Sequence, residues 1–171
     1  GAREIADGNY DVQVPVVRND ELGLLGREFN HMAQEVKRSA QLEKDILAKT
    51  LTGEVGKPLQ QSYNELNGAR KRIEYFIQNS AKWLSDEWIV EEDATREKIV
   101  YEPLGIIANI SAWNYPYLVG VNVFIPALIG GNGVLYKPSE YATLTGLHIQ
   151  RLLYRAGVPE NVFQIVIGKG T

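Results

Sequence analysis

Two short stretches bring polar groups next to rigid neighbours. They are Ser111-Ala112-Trp113-Asn114-Tyr115-Pro116 and Lys137-Pro138-Ser139-Glu140. An amide, an ammonium and a carboxylate held by aromatic and proline residues make the kind of preorganised polar surface that binds a ligand. Each stretch also has a plainer reading. Asn114, before an aromatic-proline pair, could cap the next helix, and Lys137 with Glu140 could be an ordinary exposed loop. The chemistry excluded is clearer. The chain has no cysteine, so it has no disulfide, thiolate metal site or thiol nucleophile. Its two histidines, His31 and His148, lie far apart in sequence and offer no His-rich metal cluster. The glycine fingerprint of dinucleotide-binding turns, G-x-G-x-x-G, is absent. Gly168-Lys169-Gly170 reads as a plain turn at least as readily as a phosphate loop.

The elements that would position these stretches follow from the apolar pattern. Gly53, Gly56 and Pro58 punctuate a loop, and Pro58 suits a first helical turn. Leu59, Tyr63, Leu66, Ile73, Phe76, Ile77, Trp83 and Leu84 then mark a core-facing amphipathic helix. Strand signal starts after Trp88, with a short run from Ile99 to Tyr101. A nearly continuous apolar run, Gly105 to Ser111, suits a strand buried on both faces of a parallel sheet. A turn at 113–116 leads into an apolar helix, Leu118 to Ile129, ending at Gly130-Gly131. Val134-Leu135-Tyr136 predicts a second strand. Ile149, Leu152, Leu153 and Ala156 predict a helix closed by Gly157 and Pro159, and Val162 to Ile167 a third strand. The order is βαβαβ, so the expected class is α/β, an incomplete Rossmann-like parallel sheet preceded by helices. In open α/β sheets ligands sit beyond the carboxyl ends of the strands, and both polar stretches leave those ends.

The first forty residues differ. Gly8 reads as a left-handed helix stop, and Asn9 to Asn19 as an extended connector, Pro15 arguing against a central strand. Asp20-Glu21 opens a helix with Leu22, Leu25, Phe29, Met32 and Val36 at spacings of 3, 4, 3 and 4. That is a heptad seam, which fits a coiled-coil partner or one amphipathic helix on any core. The helix is expected to run on through Gln41–Leu47 without a break, Leu42, Ile46 and Leu47 keeping one face. The chain of 171 residues carries a net charge of -3 at a pI near 5.5, which points away from a nucleic-acid partner. No apolar run approaches the roughly 20 residues that span a bilayer, and no signal peptide opens the chain. The expected setting is the cytoplasm, with membrane association only through an upstream transmembrane segment. A first residue that is not Met reads as a fragment or a processed chain.

The stretches EPLGIIANISAWNYPY, GNGVLYKPSE and GVPENVFQIVIGKG, with the upstream EVGKPLQQSYNELNG, resemble the N-terminal, NAD-binding part of the aldehyde dehydrogenase superfamily, over about residues 41–171. The segment ADGNYDVQVPVVRNDELGLLGREFNHMAQEV resembles the second half of a HAMP domain, a helical signal-relay module of bacterial receptors. The expected organisation is therefore a HAMP-like partial module at 1–39 and a dehydrogenase fragment at 40–171. The resemblance implies NAD(P)-dependent oxidation of a small aldehyde to a carboxylic acid, usually by a homo-oligomer. It implies that Asn114 faces the aldehyde oxygen as it becomes an alkoxide, that Ile110 and Trp113 line the cofactor cleft, and that Ser139 lines the same turn as Lys137 and Glu140. Lys137 and Glu140 would hydrogen-bond the adenosine ribose. A carboxylate there favours NAD, with NADP the alternative. Ala112 stands where many members have proline, and Gly133 replaces a residue usually alanine, which is expected to loosen the strand entry. Without a cysteine the chain alone is expected to be inactive. The rival reading is a dimerising relay module of a bacterial receptor. A further expectation is that an uncovered sheet invites aggregation.

Overall fold

The computed structural model describes residues 21–92 and 95–169. The chain divides into two compact units, Gly1–Ile46 and Leu47–Thr171. Helix α1, Glu21–Val55, runs unbroken through Gln41–Leu47, as expected. The Gly8 stop, the connector over 9–19 and the side chains of the heptad positions lie outside the described residues. Leu42 and Ile46 do not share a packing face with the partly buried Leu47. They are 53% and 58% exposed. Among the described residues no helix is long and apolar enough to cross a membrane.

In the second unit, helix α2 spans Leu59–Trp83, and Pro58, expected in its first turn, stands one residue earlier at the cap position. Its inward stripe is Ser62, Glu65 and Ala69, flanked by the partly buried Leu66, Ile73 and Phe76. Ile77 and Trp83, expected in the core, are 61% and 44% exposed. A hairpin follows, β1 at Glu87–Glu92 and β2 at Thr95–Ile99, paired antiparallel with a bulge between Trp88 and Val90. Val100 and Tyr101 lie beyond it, so the expected run from Ile99 to Tyr101 is only the end of a strand. The hairpin escaped the pattern because it is exposed on both sides. Each of its cross-strand pairs holds at least one charged residue, Glu91 facing Arg96, and Lys98 pairs with Asp86 while lying 5.6 Å from the Trp88 ring.

Strand β3 (Ile106–Ile110), helix α3 (Pro116–Ile129), strand β4 (Gly133–Lys137), helix α4 (Thr143–Arg155) and strand β5 (Phe163–Ile165) form the βαβαβ unit. The sheet is parallel, with β4 between β3 and β5. Both helices close on glycines in the left-handed region, Gly131 at φ 80 and Gly157 at φ 94. Among the described residues, helices cover one face of the sheet. There Phe124, Tyr136 and Phe163 meet at ring-centroid distances of 5.5–5.9 Å, with Val134, Val121 and Ile149 around them. The expectation that β3 is buried on both faces fails. Ile106 and Ile110 are 78% and 79% exposed on the other face, beside Leu135 at 41%.

Candidate functional site

The carboxyl ends of β3 and β4 are adjacent. Ile110 pairs in register with Lys137, and the next amide, Ser111 N–H, donates to the Lys137 carbonyl at 3.0 Å. The loop 111–115 and the turn 137–140 therefore leave the sheet side by side. Ile110 points to the open face. Trp113, half exposed, joins Glu54, Val55 and Tyr141 around a cleft of about 370 Å³. Lys137 Nζ donates to the Pro138 carbonyl at 3.3 Å. Ser139 is a cap. Its Oγ accepts from Tyr141 N–H at 3.3 Å, opening a single 3-10 turn at Glu140–Ala142, and lies 3.4 Å from Glu140 Oε2. Glu140 itself is exposed.

Asn114 does not cap helix α3. The cap position is Tyr115, with no side-chain cap of its own, and Pro116 takes the first turn, where its missing N–H costs nothing. The capping oxygen comes from Glu65 on α2. Its Oε1 accepts from Tyr117 N–H at 2.8 Å and Leu118 N–H at 3.3 Å, and its Oε2 pairs with Lys57. Lys57 Nζ also donates to the Asn114 carbonyl at 2.5 Å and lies 4.0 Å from the Tyr115 ring centroid. Helix α4 is capped in the same manner. Glu54 accepts from Leu144 N–H at 2.6 Å and from Thr145 N–H and Oγ at 2.7 Å. A carboxylate suits the positive end of a helix on both charge and hydrogen-bonding grounds.

The turn at 137–140 is shaped from behind by Gly146 of α4. A Cβ there would come within 2.7 Å of the buried Pro138 ring, so glycine is what lets the helix approach the turn. Beneath the loops, burial pushes the Tyr117 phenol far above its usual value, with the Glu65 and Glu54 charges adding to the effect. Burial likewise pushes Tyr136 up to about 12.

The structure thus brings Ile110, Lys137, Ser139 and Glu140 to one edge of the sheet and sets Trp113 over the adjoining cleft. Asn114 stands on the same loop as Trp113, and the bond that ties it in runs to Lys57. Sequence reasoning missed Glu54, Lys57, Glu65 and Gly146. One signal pointed to Glu65. It stands one turn before Ala69 and two before Ile73, a charged residue in phase with the apolar face of its helix. The Gly168-Lys169-Gly170 turn follows β5, but Gly170 lies outside the described residues.

Two family models match the chain, and they overlap over residues 29–38. The model for the aldehyde dehydrogenase family matches residues 29–171, and that for the HAMP domain matches residues 1–38. A 3-sulfolactaldehyde dehydrogenase of Pseudomonas putida is 34% identical over 126 residues, 73% of this chain and 26% of that protein. An N-succinylglutamate 5-semialdehyde dehydrogenase of Novosphingobium aromaticivorans is 32% identical, over 80% of this chain and 28% of its own. Among solved structures, a succinate-semialdehyde dehydrogenase from Burkholderia pseudomallei superposes with a TM-score of 0.68 at 36% identity, covering 74% of this chain and 26% of the other. An NADP-dependent enzyme of E. coli gives 0.69 at 33% identity, with the same coverage. The chain spans about a quarter of the length of the curated relatives it matches.

Proposed function

The chain belongs to the aldehyde dehydrogenase family, and we propose that its βαβαβ unit is the dinucleotide-facing portion of an NAD(P)-dependent oxidation of an aldehyde to a carboxylic acid. The observation that carries this reading is the pairing of Ile110 with Lys137, which starts both polar loops from one edge. The residues fit such a cofactor. Lys137 has one long bond among the described residues, leaving ammonium donors for ribose hydroxyls. Glu140 is an exposed acceptor on the next turn, and Trp113 offers an aromatic wall to the cleft. When bound, the nicotinamide supplies a hydride acceptor. The chain's own residues bind and orient. Lys137 and Glu140 hold the adenosine ribose, Ser139 fixes the turn that carries them, Trp113 lines the cleft, and Ile110 offers the cofactor the open face of the sheet. Asn114 turns its amide N–H toward the aldehyde oxygen, where negative charge develops.

The Glu140 carboxylate would repel a ribose 2′-phosphate, so NAD is the cofactor expected, ahead of NADP. Titration of the purified chain, followed by quenching of Trp113 fluorescence with Trp113→Phe as control, tests this. NAD is expected to bind roughly tenfold more tightly than NADP, about 1.4 kcal/mol, and Glu140→Gln to narrow the gap. Absence of saturable binding of either dinucleotide would refute the reading. The chain has no cysteine, so no thiolate can add to the aldehyde and the 171 residues oxidise nothing by themselves. Aldehyde-dependent NADH formation by the purified chain would contradict that. On the same reading the family setting is a cytoplasmic homo-oligomer acting on a small aldehyde, with residues 40–171 as the dehydrogenase part.

A second reading rests on the HAMP match over residues 1–38. There the heptad from Leu22 to Val36 forms a parallel seam between two chains, and residues 1–39 are a relay or dimerisation module. Analytical ultracentrifugation of Leu25→Asp and Phe29→Asp separates the two. Loss of a dimer in both variants supports the seam, and persistence in both removes it.

A further inference from the structure

We propose that the buried Lys57–Glu65 ion pair is a positioning device that sets the direction in which Asn114 presents its side chain. This rests on the dehydrogenase reading above and names the residues that would make its oxyanion contact precise. The pair is almost wholly removed from water, the Lys57 side chain being 9% exposed and that of Glu65 0%. Burying two charges gains little over an apolar pair of the same volume, so net stability is a poor account of its presence. Its partners give a better one. The ammonium divides its donors between Glu65 Oε2 and the Asn114 carbonyl, and lies against the Tyr115 ring. The carboxylate gives its other oxygen to the N–H groups of Tyr117 and Leu118. One ion pair therefore grips the main chain on both sides of Pro116, at 114 and again at 117–118. Two charges of opposite sign meet main-chain groups of matching polarity, a carbonyl for the lysine and helix-start amides for the glutamate.

The chain before Pro116 needs such a grip. Ala112 to Tyr115 are exposed and form neither helix nor strand. The Asn114 side chain takes none of the bonds that fix the loop among the described residues, so it is left free for a ligand. Lys57 stands between helices α1 and α2 at a turn made by Gly56 at φ 72 and Pro58. Its origin is therefore fixed by two helices remote in sequence from the sheet. Lys57 and Glu65 touch no reacting atom on this account. They act through Asn114 as positioning residues.

The test uses the 171-residue chain with 5-fluorotryptophan and nitrogen-15 labels. Trp113 is distinguished from Trp83 and Trp88 by Trp113→Phe, and the Asn114 side-chain amide by Asn114→Asp. In Lys57→Met, which keeps the aliphatic stem, the Trp113 and Asn114 signals should shift and broaden while those of Trp83 and Trp88 stay in place. Lys57→Arg should restore them in part. NAD affinity should fall about tenfold in Lys57→Met and recover in Lys57→Arg. If Lys57→Met fails to fold, Glu65→Gln gives the same readout, since its amide oxygen can still accept from Tyr117 while the charge pairing is gone. A folded variant with unchanged Trp113 and Asn114 signals overturns the proposal and leaves the pair a purely structural one. Failure of the unaltered chain to bind NAD would instead refute the dinucleotide reading, and the two loop signals would still decide the role of the pair.

Discussion

Tyr136 lies in β4, the middle strand of the sheet, with 0% of its surface exposed, and burial pushes its phenol up to about 12. Tyr117, above it, is displaced further in the same direction. Both hold their protons more tightly folded than unfolded. Their stability contribution is therefore complete below the ordinary tyrosine value near 10 and is lost as pH rises from there through the folded values. Urea midpoints measured at pH 8 and pH 11 should show a marked loss, and Tyr136→Phe should remove part of it. A midpoint equally steep in pH for Tyr136→Phe would mean that other groups carry the effect. At this scale the sequence told unevenly. Asn114, Lys137 and Glu140 were visible because polar residues flanked by proline and aromatic neighbours stand out between apolar runs. Lys57 and Glu54 were not, because the main-chain group each binds lies far along the chain, 57 residues on for Lys57 and 90 for Glu54. Periodicity holds no information about such a pairing.

Among elements, helices α3 and α4 were legible at their carboxyl ends, while α3 starts two residues before the expected Leu118 and α4 six before Ile149. Their apolar faces repeat at helical spacing and their ends carry glycine. What starts them was not legible, since both N-terminal caps are carboxylates borrowed from other helices. Glu54→Ala should cost about 1 kcal/mol, as loss of a helix cap does, read as a lower urea midpoint. Gly133 was expected to loosen the entry of β4. In the structure its amide donates to the Gly105 carbonyl at 2.8 Å, and an added Cβ would meet only ordinary contacts at 3.7–3.9 Å. Alanine fits, so Gly133→Ala should raise stability by roughly 0.5–1 kcal/mol, and a fall would mean the strand entry cannot accept the methyl group. The hairpin β1–β2 went unread for a different reason. In this exposed ribbon charged residues face apolar ones across the strands, Lys98 opposite Trp88 and Glu97 opposite Val90, so no apolar face alternates.

For the molecule, the second unit rests on one layer of side chains between the helices and a single face of the sheet. Phe124 is the helix contribution to the aromatic cluster with Tyr136 and Phe163, and it is 2% exposed. Phe124→Ala should therefore cost about 3–5 kcal/mol by urea denaturation. A loss below about 1 kcal/mol would mean that the neighbouring side chains collapse into the space. The class of fold, α/β with parallel strands in the order of the chain, follows from the alternation of apolar runs and amphipathic stretches. The extent of burial does not follow. An apolar run such as 105–111 reads the same whether one face or two are covered, and here Ile106, Ile110 and Leu135 face outward.

The glutamates at the starts of α3 and α4 also decide where phosphate cannot go. A helix beginning just beyond a parallel strand normally welcomes an anion with its free amide groups. In this chain Tyr117, Leu118, Leu144 and Thr145 have already given those amides to Glu65 and Glu54. Two carboxylates stand where a diphosphate would otherwise settle, one of them already paired with Lys57. A nucleotide lying along the sheet edge must carry its diphosphate past them to cations elsewhere. Inorganic pyrophosphate should accordingly neither raise the melting temperature of the chain nor displace a bound dinucleotide.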